Sequence, residues 1–262
     1  MRALSDAPAN EFEPVRFVLT DMDETLTWQG RLSAAAYTSL EQLQSAGIRV
    51  IPVTAAPAGW CDQMARMWPV DGVIGENGGL FFRRTADGHG SIEHHYWHAD
   101  DATASVAARL RTIADRVLAA LPEARLADDQ PFRLTSLAFA RPADPVLERR
   151  IVNTLRQAGA DATVNNLWVL GWLGGYDKLT MTRRTLAQHY GVDIDREREA
   201  ILYSGDSTND APMFAFFKHT VGVSTVRQYL DQLPVAPRWV TLGPGGAGFV
   251  EMAQAVFGPK SL

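Results

Sequence analysis

Asp21-Met22-Asp23-Glu24-Thr25-Leu26-Thr27 follows the apolar run Val15 to Leu19, which sets two carboxylates one residue apart at the end of an expected strand. In an open α/β sheet, ligands gather beyond the carboxyl ends of the strands, where loops present polar groups while the strands stay buried. Alternate residues of an extended segment point the same way, so Asp21 and Asp23 face one ligand if the chain stays extended there. One carboxylate can then attack phosphorus while the other handles a proton. Taken alone, the same D-x-D-x-T string also reads as a solvated acidic turn before a helix.

Alternation of strand and helix continues on the carboxyl side. Val15 to Thr20 is followed by a helical stretch from Ser33 to Ala46, capped by Ser33 and ended by Gly47. Ile48 to Val53 reads as a second buried strand, Pro57 to Trp68 as a helix, and Gly72 to Ile74 as a third strand, a βαβαβ pattern. Gly78-Gly79, Leu80 to Arg83, a polar tip at Asp87 to Gly90 and Ile92 to Trp97 predict a β-hairpin leading out of that core. Helices are expected over Asp100 to Leu121 and Asp144 to Ala158, and a strand over Phe132 to Ala140. Two short strands, Ala162 to Val164 and Leu167 to Trp172, flank a tight Asn165-Asn166 turn, so the block is approximately αββαββ.

The parallel rhythm then resumes: a helix over Lys178 to Tyr190, a strand over Ala200 to Tyr203, a helix over Asp210 to Phe217 and a strand over His219 to Val223. A helical turn at Val226 to Leu230, a strand over Arg238 to Thr241 and a helix over Gly246 to Phe257 close the chain. The fold class expected is therefore α/β, a doubly wound Rossmann-like core over residues 1–84 and 173–262. An inserted α+β domain over residues 85–172 interrupts it.

Of the 262 residues, 46% are hydrophobic and 21% charged, proportions that allow a substantial core. A formal charge of -5 argues against a broad nucleic-acid surface, which needs clustered Lys and Arg. Cys61 stands alone, so neither an intrachain disulfide nor a multi-cysteine metal site can form, and a reducing compartment fits best. Met1 to Pro14 is polar and acidic without an apolar signal core, and no stretch approaches 18 uninterrupted apolar residues. The expectation is a cytoplasmic protein with no membrane or nucleic-acid partner, its oligomeric state left open.

Three further polar sites fall after expected strands or at helix starts. Thr54 follows Ile51-Pro52-Val53, where its hydroxyl and the amides of the next turn can hold a phosphate oxygen; a plain N-cap is the alternative. Lys178, in Gly174-Gly175-Tyr176-Asp177-Lys178-Leu179-Thr180, occupies a first helical turn, where the backbone dipole disfavours a cation and an anionic partner would explain it; a solvated surface lysine is the alternative. In Leu202-Tyr203-Ser204-Gly205-Asp206-Ser207-Thr208-Asn209-Asp210 an apolar strand ends in a Gly-Asp turn. Mg²⁺ prefers oxygen ligands, so carboxylates at 21, 206 and 210 with a substrate phosphate form a reasonable set, and the cation relieves their mutual repulsion. Asn209-Asp210 can otherwise serve as a helix cap.

Read together, DMDETLT, Thr54 in VTAAP, Lys178 in GYDKLT and GDSTND resemble the four ordered motifs of the haloacid dehalogenase superfamily of phosphohydrolases. The resemblance spans residues 15 to 255. The position of the inserted block is similar to a type C2B cap of subfamily IIB, the branch of Cof-like phosphatases, sucrose-phosphate phosphatases, mannosyl-phosphoglycerate phosphatases and phosphomannomutases. It implies an Mg²⁺-dependent phosphatase acting on a small phosphorylated metabolite, a sugar phosphate or related compound. Asp21 would be the nucleophile, Asp23 the general acid and then base, and Thr54 and Lys178 the ligands of the transferring phosphoryl group. The metal would be held by Asp21, the carbonyl of Asp23, Asp206 and, partly through water, Asp210, with Asn209 supporting this shell. The turn Gly75-Glu76-Asn77-Gly78 looks like the branch's loop near the substrate, so Glu76, Asn77 and Gly78 join Thr54, Ala55, Lys178 and Asn209 as expected substrate contacts.

One departure stands out: many sugar-phosphate phosphatases of the branch carry Gly-Arg where this chain has Ala55-Ala56. Arg66 and Arg133 are candidates to compensate, with surface charge as the expected role of both. His89, His94, His95 and His98 do not predict a zinc site, since their spacing alternates faces and no tetrahedral set is completed. Gly243 to Gly248 lacks the Lys-Ser/Thr of a P-loop and reads as a flexible loop. Trp168, Trp172 and Cys61 are expected to pack. A phosphohexose mutase and a non-catalytic binding protein of the same fold remain the rival readings. Retention of both a nucleophile and an acid one residue apart disfavours the second.

Overall fold

In the computed structural model, which describes residues 1–85 and 90–258, the chain begins β1 (Arg2–Ala3), β2 (Phe17–Thr20), α1 (Ala34–Ser45), β3 (Arg49–Pro52), α2 (Ala58–Met67), β4 (Val73–Gly75), β5 (Leu80–Arg84) and β6 (Ile92–Tyr96). The inserted block is α3 (Asp100–Ala120), β7 (Ser136–Ala140), α4 (Pro145–Gln157), β8 (Asp161–Val164) and β9 (Trp168–Trp172). The chain returns through α5 (Lys178–Tyr190), β10 (Ile201–Gly205), α6 (Ala211–Phe216), β11 (His219–Gly222), β12 (Trp239–Val240) and α7 (Gly245–Phe257). His89 and most of the expected hairpin tip lie outside the described residues.

Six parallel strands in the order β1-β12-β11-β10-β2-β3 form the main sheet. Alternation along β2 assigns its side chains to two apolar layers. Phe17 and Leu19 pack with Ile51, Tyr203, Met181, Leu186 and Phe214, whereas Val18 packs with Val50, Leu202, Leu40, Leu43 and Phe249. Helices cover both faces, which is why the strands read as unbroken apolar runs. The helix starts follow local chemistry. Ser33 Oγ accepts the Ala36 amide at 3.1 Å, Asp144 caps α4 with Pro145 at its first position, and Asp177 and Thr180 form a reciprocal capping box on α5.

Two details differ from expectation. β4 meets the parallel sheet only through a Val53–Ile74 bridge and pairs antiparallel with β5, which pairs with β6. The turn Glu76–Gly78 folds the chain straight back, with φ of 48° at Glu76 and 60° at Asn77, so the local partner β5 takes the edge of β4. The inserted block is αβαββ rather than αββαββ. Pro131 cannot donate to a ladder, and residues 130–132 wind into a 3₁₀ turn. Residues 125–127 meet the outer edge of β7 only as a single Leu126–Phe139 bridge among the described residues, and the Gln130 side chain continues along that edge, accepting from the Ala138 amide at 2.7 Å and donating to the Ser136 carbonyl at 3.2 Å.

The three-stranded sheet β7-β9-β8 carries α3 and α4 on one face, packed through Leu110, Val117, Phe139, Ile151, Leu155 and Val169. Its other face, with Ala138, Leu170 and Trp172, meets Ala55 and Tyr176. The main sheet therefore presents its loops to an apolar, layered lid. Because β6 pairs with β5, a boundary at residue 85 would cut the hairpin; we propose that the inserted domain starts near Ala99.

Candidate active site

Register aligns the loops that carry the expected site. Thr20 lies opposite both Pro52 and Ser204, so Asp21, Thr54 and Asp206 leave three adjacent strands at one edge of the sheet. β2 sits where the connections diverge, to β3 on one side and β10 on the other, which is the ligand-binding switch point of doubly wound sheets.

Lys178 is fully buried, and its Nζ lies 3.0 Å from Asp21 Oδ1 and 2.7 Å from Asp210 Oδ1, with the Tyr203 hydroxyl at 3.4 Å. An ammonium at a helix start is unfavourable until carboxylates surround it. Burial alone would lower its pKa, but Asp21 and Asp210 outweigh burial, and the net shift is upward, so Lys178 stays charged. The solvated-lysine alternative does not describe this side chain. Asp21 Oδ1 also accepts the Met22 amide at 2.8 Å. Burial pushes the Asp21 carboxyl up to about 7; Lys178 opposes that rise, while Asp210 and Asp23 add to it. Asp23 is pushed up to about 6, again chiefly by burial and against the pull of Lys178.

Oxygens of Asp21, Asp206 and Asp210 lie within 4.8 Å of one another, an all-oxygen group suited to a hard divalent cation. The three are not equivalent. Asp210 Oδ1 accepts from Lys178 and Tyr203, and its Oδ2 accepts the amides of Asp206 at 2.9 Å and Ser207 at 3.0 Å, so its lone pairs are occupied. Gly205 makes this possible, because a Cβ there would meet Asp210 Oδ2 at 2.5 Å. Among the described residues, the Asp206 carboxylate accepts only side-chain donors, Thr25 Oγ1 at 3.2 Å and Asn166 Nδ2 at 2.6 Å. Burial and then the charges of Asp21 and Asp210 raise its pKa, the repulsion that a cation would relieve. Asn209 is buried beside it, accepting from Ser207 Oγ at 2.7 Å while its Nδ2 has no protein partner.

Thr54 is buried, its Oγ1 accepting the Ala56 amide at 3.0 Å, which leaves the hydroxyl proton to donate. Ala55 is covered by Arg133, whose Nη1 donates to the Ala55 carbonyl at 2.8 Å and whose guanidinium grips Asp129 at 2.8 and 3.0 Å. Arg133 is thus a buried clamp across the place where the branch has Gly-Arg, not surface charge. Arg66 is surface charge, paired with Asp62 at 2.6 Å.

Glu76 is 1% exposed, and its carboxylate is enclosed by protein donors. It accepts five donors: the amides of Ala58 at 3.1 Å, Leu134 at 2.7 Å and Thr135 at 2.7 Å, and the hydroxyls of Thr135 at 2.8 Å and Ser136 at 2.7 Å. One buried carboxylate thereby ties the start of α2 to the start of β7. Glu76→Gln sets an amide N–H₂ against at least one backbone N–H in either orientation. Stability should fall by about 1–3 kcal/mol, read as a lower denaturation midpoint. Asn77 is buried with Oδ1 unpartnered. Gly78 must be glycine, since φ is +111° and a Cβ would meet the Asp177 carbonyl at 2.3 Å, where the loop presses on the start of α5.

No protein-family model matches the chain. A phosphoglycolate phosphatase of Methanoculleus marisnigri is 26% identical over 245 residues, covering 93% of this chain and 97% of that protein. The sucrose-phosphatase of Synechocystis sp. PCC6803, solved with sucrose and phosphate, superposes with a TM-score of 0.66 at 13% identity, over 93% of this chain and 98% of its own. BT1666 of Bacteroides thetaiotaomicron, a phosphatase of the haloalkanoate (HAD) enzyme superfamily, superposes with a TM-score of 0.63 at 19% identity, over 93% and 95%. The chain has the haloacid dehalogenase fold of these phosphatases.

In this haloacid dehalogenase fold, sequence reading did not single out Tyr203, Thr25 or Asn166 as members of the site. Asn166 is the most informative, because it reaches from the β8–β9 turn of the inserted block to Asp206, while Thr208 Oγ1 reaches back to the Val164 carbonyl at 2.8 Å. The only hint in the sequence was the turn itself. Trp172 packs, stacked on Tyr176 and bonded to its carbonyl at 2.8 Å, but Trp168 lines a cavity next to Asp23. Cys61 packs at full burial. Gly245 and Gly246 are buried in the first turn of α7, rather than part of a flexible loop. His94, His95 and His98 bond separately to Asp62, Glu93 and the Leu173 carbonyl. No helix among the described residues is long and apolar enough to cross a membrane.

Proposed function

We propose that the protein is a phosphoric monoester hydrolase that moves the phosphoryl group of a small phosphorylated metabolite first to Asp21 and then to water. The observation that carries this reading is the buried Lys178 ammonium 3.0 Å from Asp21 Oδ1. It brings a cation beside a carboxylate that also adjoins an all-oxygen cluster. Lys178 and the Thr54 hydroxyl would hold the transferring phosphoryl oxygens, supplying charge and position where an in-line transition state needs them.

In the first step an Asp21 oxygen bonds to phosphorus as the bond to the leaving oxygen breaks. Asp23, whose raised pKa of about 6 keeps a proton accessible near neutrality, would give that proton to the leaving alcohol. In the second step water attacks phosphorus, Asp23 takes its proton, and the bond to Asp21 breaks to release phosphate. Asp21, Asp206 and the Asp23 carbonyl would hold Mg²⁺, and Asp210, its lone pairs already used, would fix Lys178 and the 206–207 amides. Bound there, Mg²⁺ would polarise the phosphoryl group and offset the carboxylate charge. The relatives named for phosphoglycolate and for sucrose support a small metabolite as substrate, and the inserted block would serve as its specificity cap. We place the protein in the cytoplasm.

Phosphate release from sugar, polyol and glycerate phosphates tests the reading. Activity should fall at least about 100-fold with chelator and return with Mg²⁺. Isomerised product without free phosphate would sink it in favour of a mutase.

A further inference from the structure

A cavity of about 390 Å³ opens beside Asp23, within the size of small-ligand sites. Asp21 is not among its lining residues, so the cavity lies on the side of the proposed acid, where the leaving group of the ester would sit. Its apolar wall comes from Trp60, Met64, Trp68, Leu167 and Trp168, and its polar groups include Asp23, Gln63, Asp128 and Asp129. Among the described residues, no Lys, Arg or His lines it. The nearby cation, Arg133, is consumed by Asp129 and the Ala55 carbonyl. Asp128, by contrast, is exposed and has no ion-pair partner among the described residues.

We infer that this pocket selects a leaving group without negative charge, stacked on indole faces, and that Asp128 is the residue that enforces the choice. The inference rests on the phosphatase reading above and narrows it. A substrate carboxylate one carbon from the ester-bearing carbon would be pressed against Asp23 and Asp128, with no cation to pair with it and with apolar walls replacing its water. An uncharged hydroxyl of the same reach loses far less, since Gln63, Thr27 and the carboxylates can bond to it. The phosphoryl end is served separately by Lys178, so the discrimination acts on the alcohol alone.

Matched esters test this. Phosphate release is measured for 2-hydroxyethyl phosphate against 2-phosphoglycolate, and for glucose 6-phosphate against 6-phosphogluconate, with p-nitrophenyl phosphate as a neutral reference. In each pair kcat/KM should favour the uncharged ester by at least about tenfold. Asp128→Lys, at an exposed position that does not threaten folding, should shrink that ratio at least about fivefold in both pairs. Preference for 2-phosphoglycolate, or an unchanged ratio in the variant, would overturn the inference while leaving the phosphatase reading intact. Absence of phosphate release from every ester, p-nitrophenyl phosphate included, would overturn both.

Discussion

Asp21→Asn should abolish turnover, by on the order of 10³-fold or more, while making the metal-free protein more stable. The first effect follows from chemistry: a neutral amide is a poor nucleophile toward phosphorus and cannot form the acyl phosphate. The second follows from linkage. The Asp21 carboxyl ordinarily titrates at 3.8 but is pushed up to about 7 here, chiefly by burial. Between about pH 4 and 7 the unfolded chain has therefore released this proton while the folded chain retains it, and stability falls as pH rises through that window. The amide removes the penalty. In chelator, the variant should melt at least about 2 °C above wild type at pH 8, with the difference vanishing near pH 4. Added Mg²⁺ should raise the wild-type melting temperature more than that of the variant, because the cation stabilises the carboxylate that the variant lacks. A variant that releases phosphate at the wild-type rate would remove Asp21 from its assigned role.

Lys178→Met should damage both activity and fold. The ammonium stands between Asp21 and Asp210 with side-chain exposure of 0%. A thioether of similar length leaves two buried carboxylates facing each other with no cation. Breaking a buried pair in this way costs about 3–5 kcal/mol, measurable as a drop in the denaturant midpoint. Turnover should fall about 10²–10³-fold, as when a preorganised electrostatic contact to a transition state is lost. Asp21→Asn should stabilise the protein more in the Lys178→Met background than in wild type, since the carboxylate it removes has there lost its cation, whereas independent sites would give the same gain in both backgrounds. Additivity in that cycle would mean that the 3.0 Å contact is energetically idle.

Much of the site could be read directly from the sequence because its chemistry sits at strand ends and helix starts, which local patterns mark. Ser33, Asp144 and Asp177 announce their helices through side chains that bond to amides two or three residues away. The contacts that could not be read join residues far apart in sequence. Arg133 meets Ala55 across 78 positions, Leu134 meets Glu76 across 58, and Asn166 meets Asp206 across 40. Nothing in the composition of those residues distinguishes a clamp from a surface charge, because the burial that does so is created by packing. The pairing of β4 is not legible in the sequence for a related reason: its apolar run fits either sheet, and the tight turn after it brings β5 to its edge.

By itself, the amino-acid sequence determined the alternation of apolar strands and amphipathic helices and the positions of Asp21, Asp23, Thr54, Lys178, Asp206 and Asp210 at the ends of elements. Periodicity and capping act within a few residues, so they survive in one dimension. Only the tertiary structure decided that Asp210 spends its lone pairs on Lys178, Tyr203 and two amides, that Glu76 ties the inserted block to the core through five donors, and that the space beside Asp23 is walled by indoles and carboxylates with no cation among the described residues. Those outcomes depend on which distant groups share a desolvated volume, where each charge must find a partner or pay for its absence.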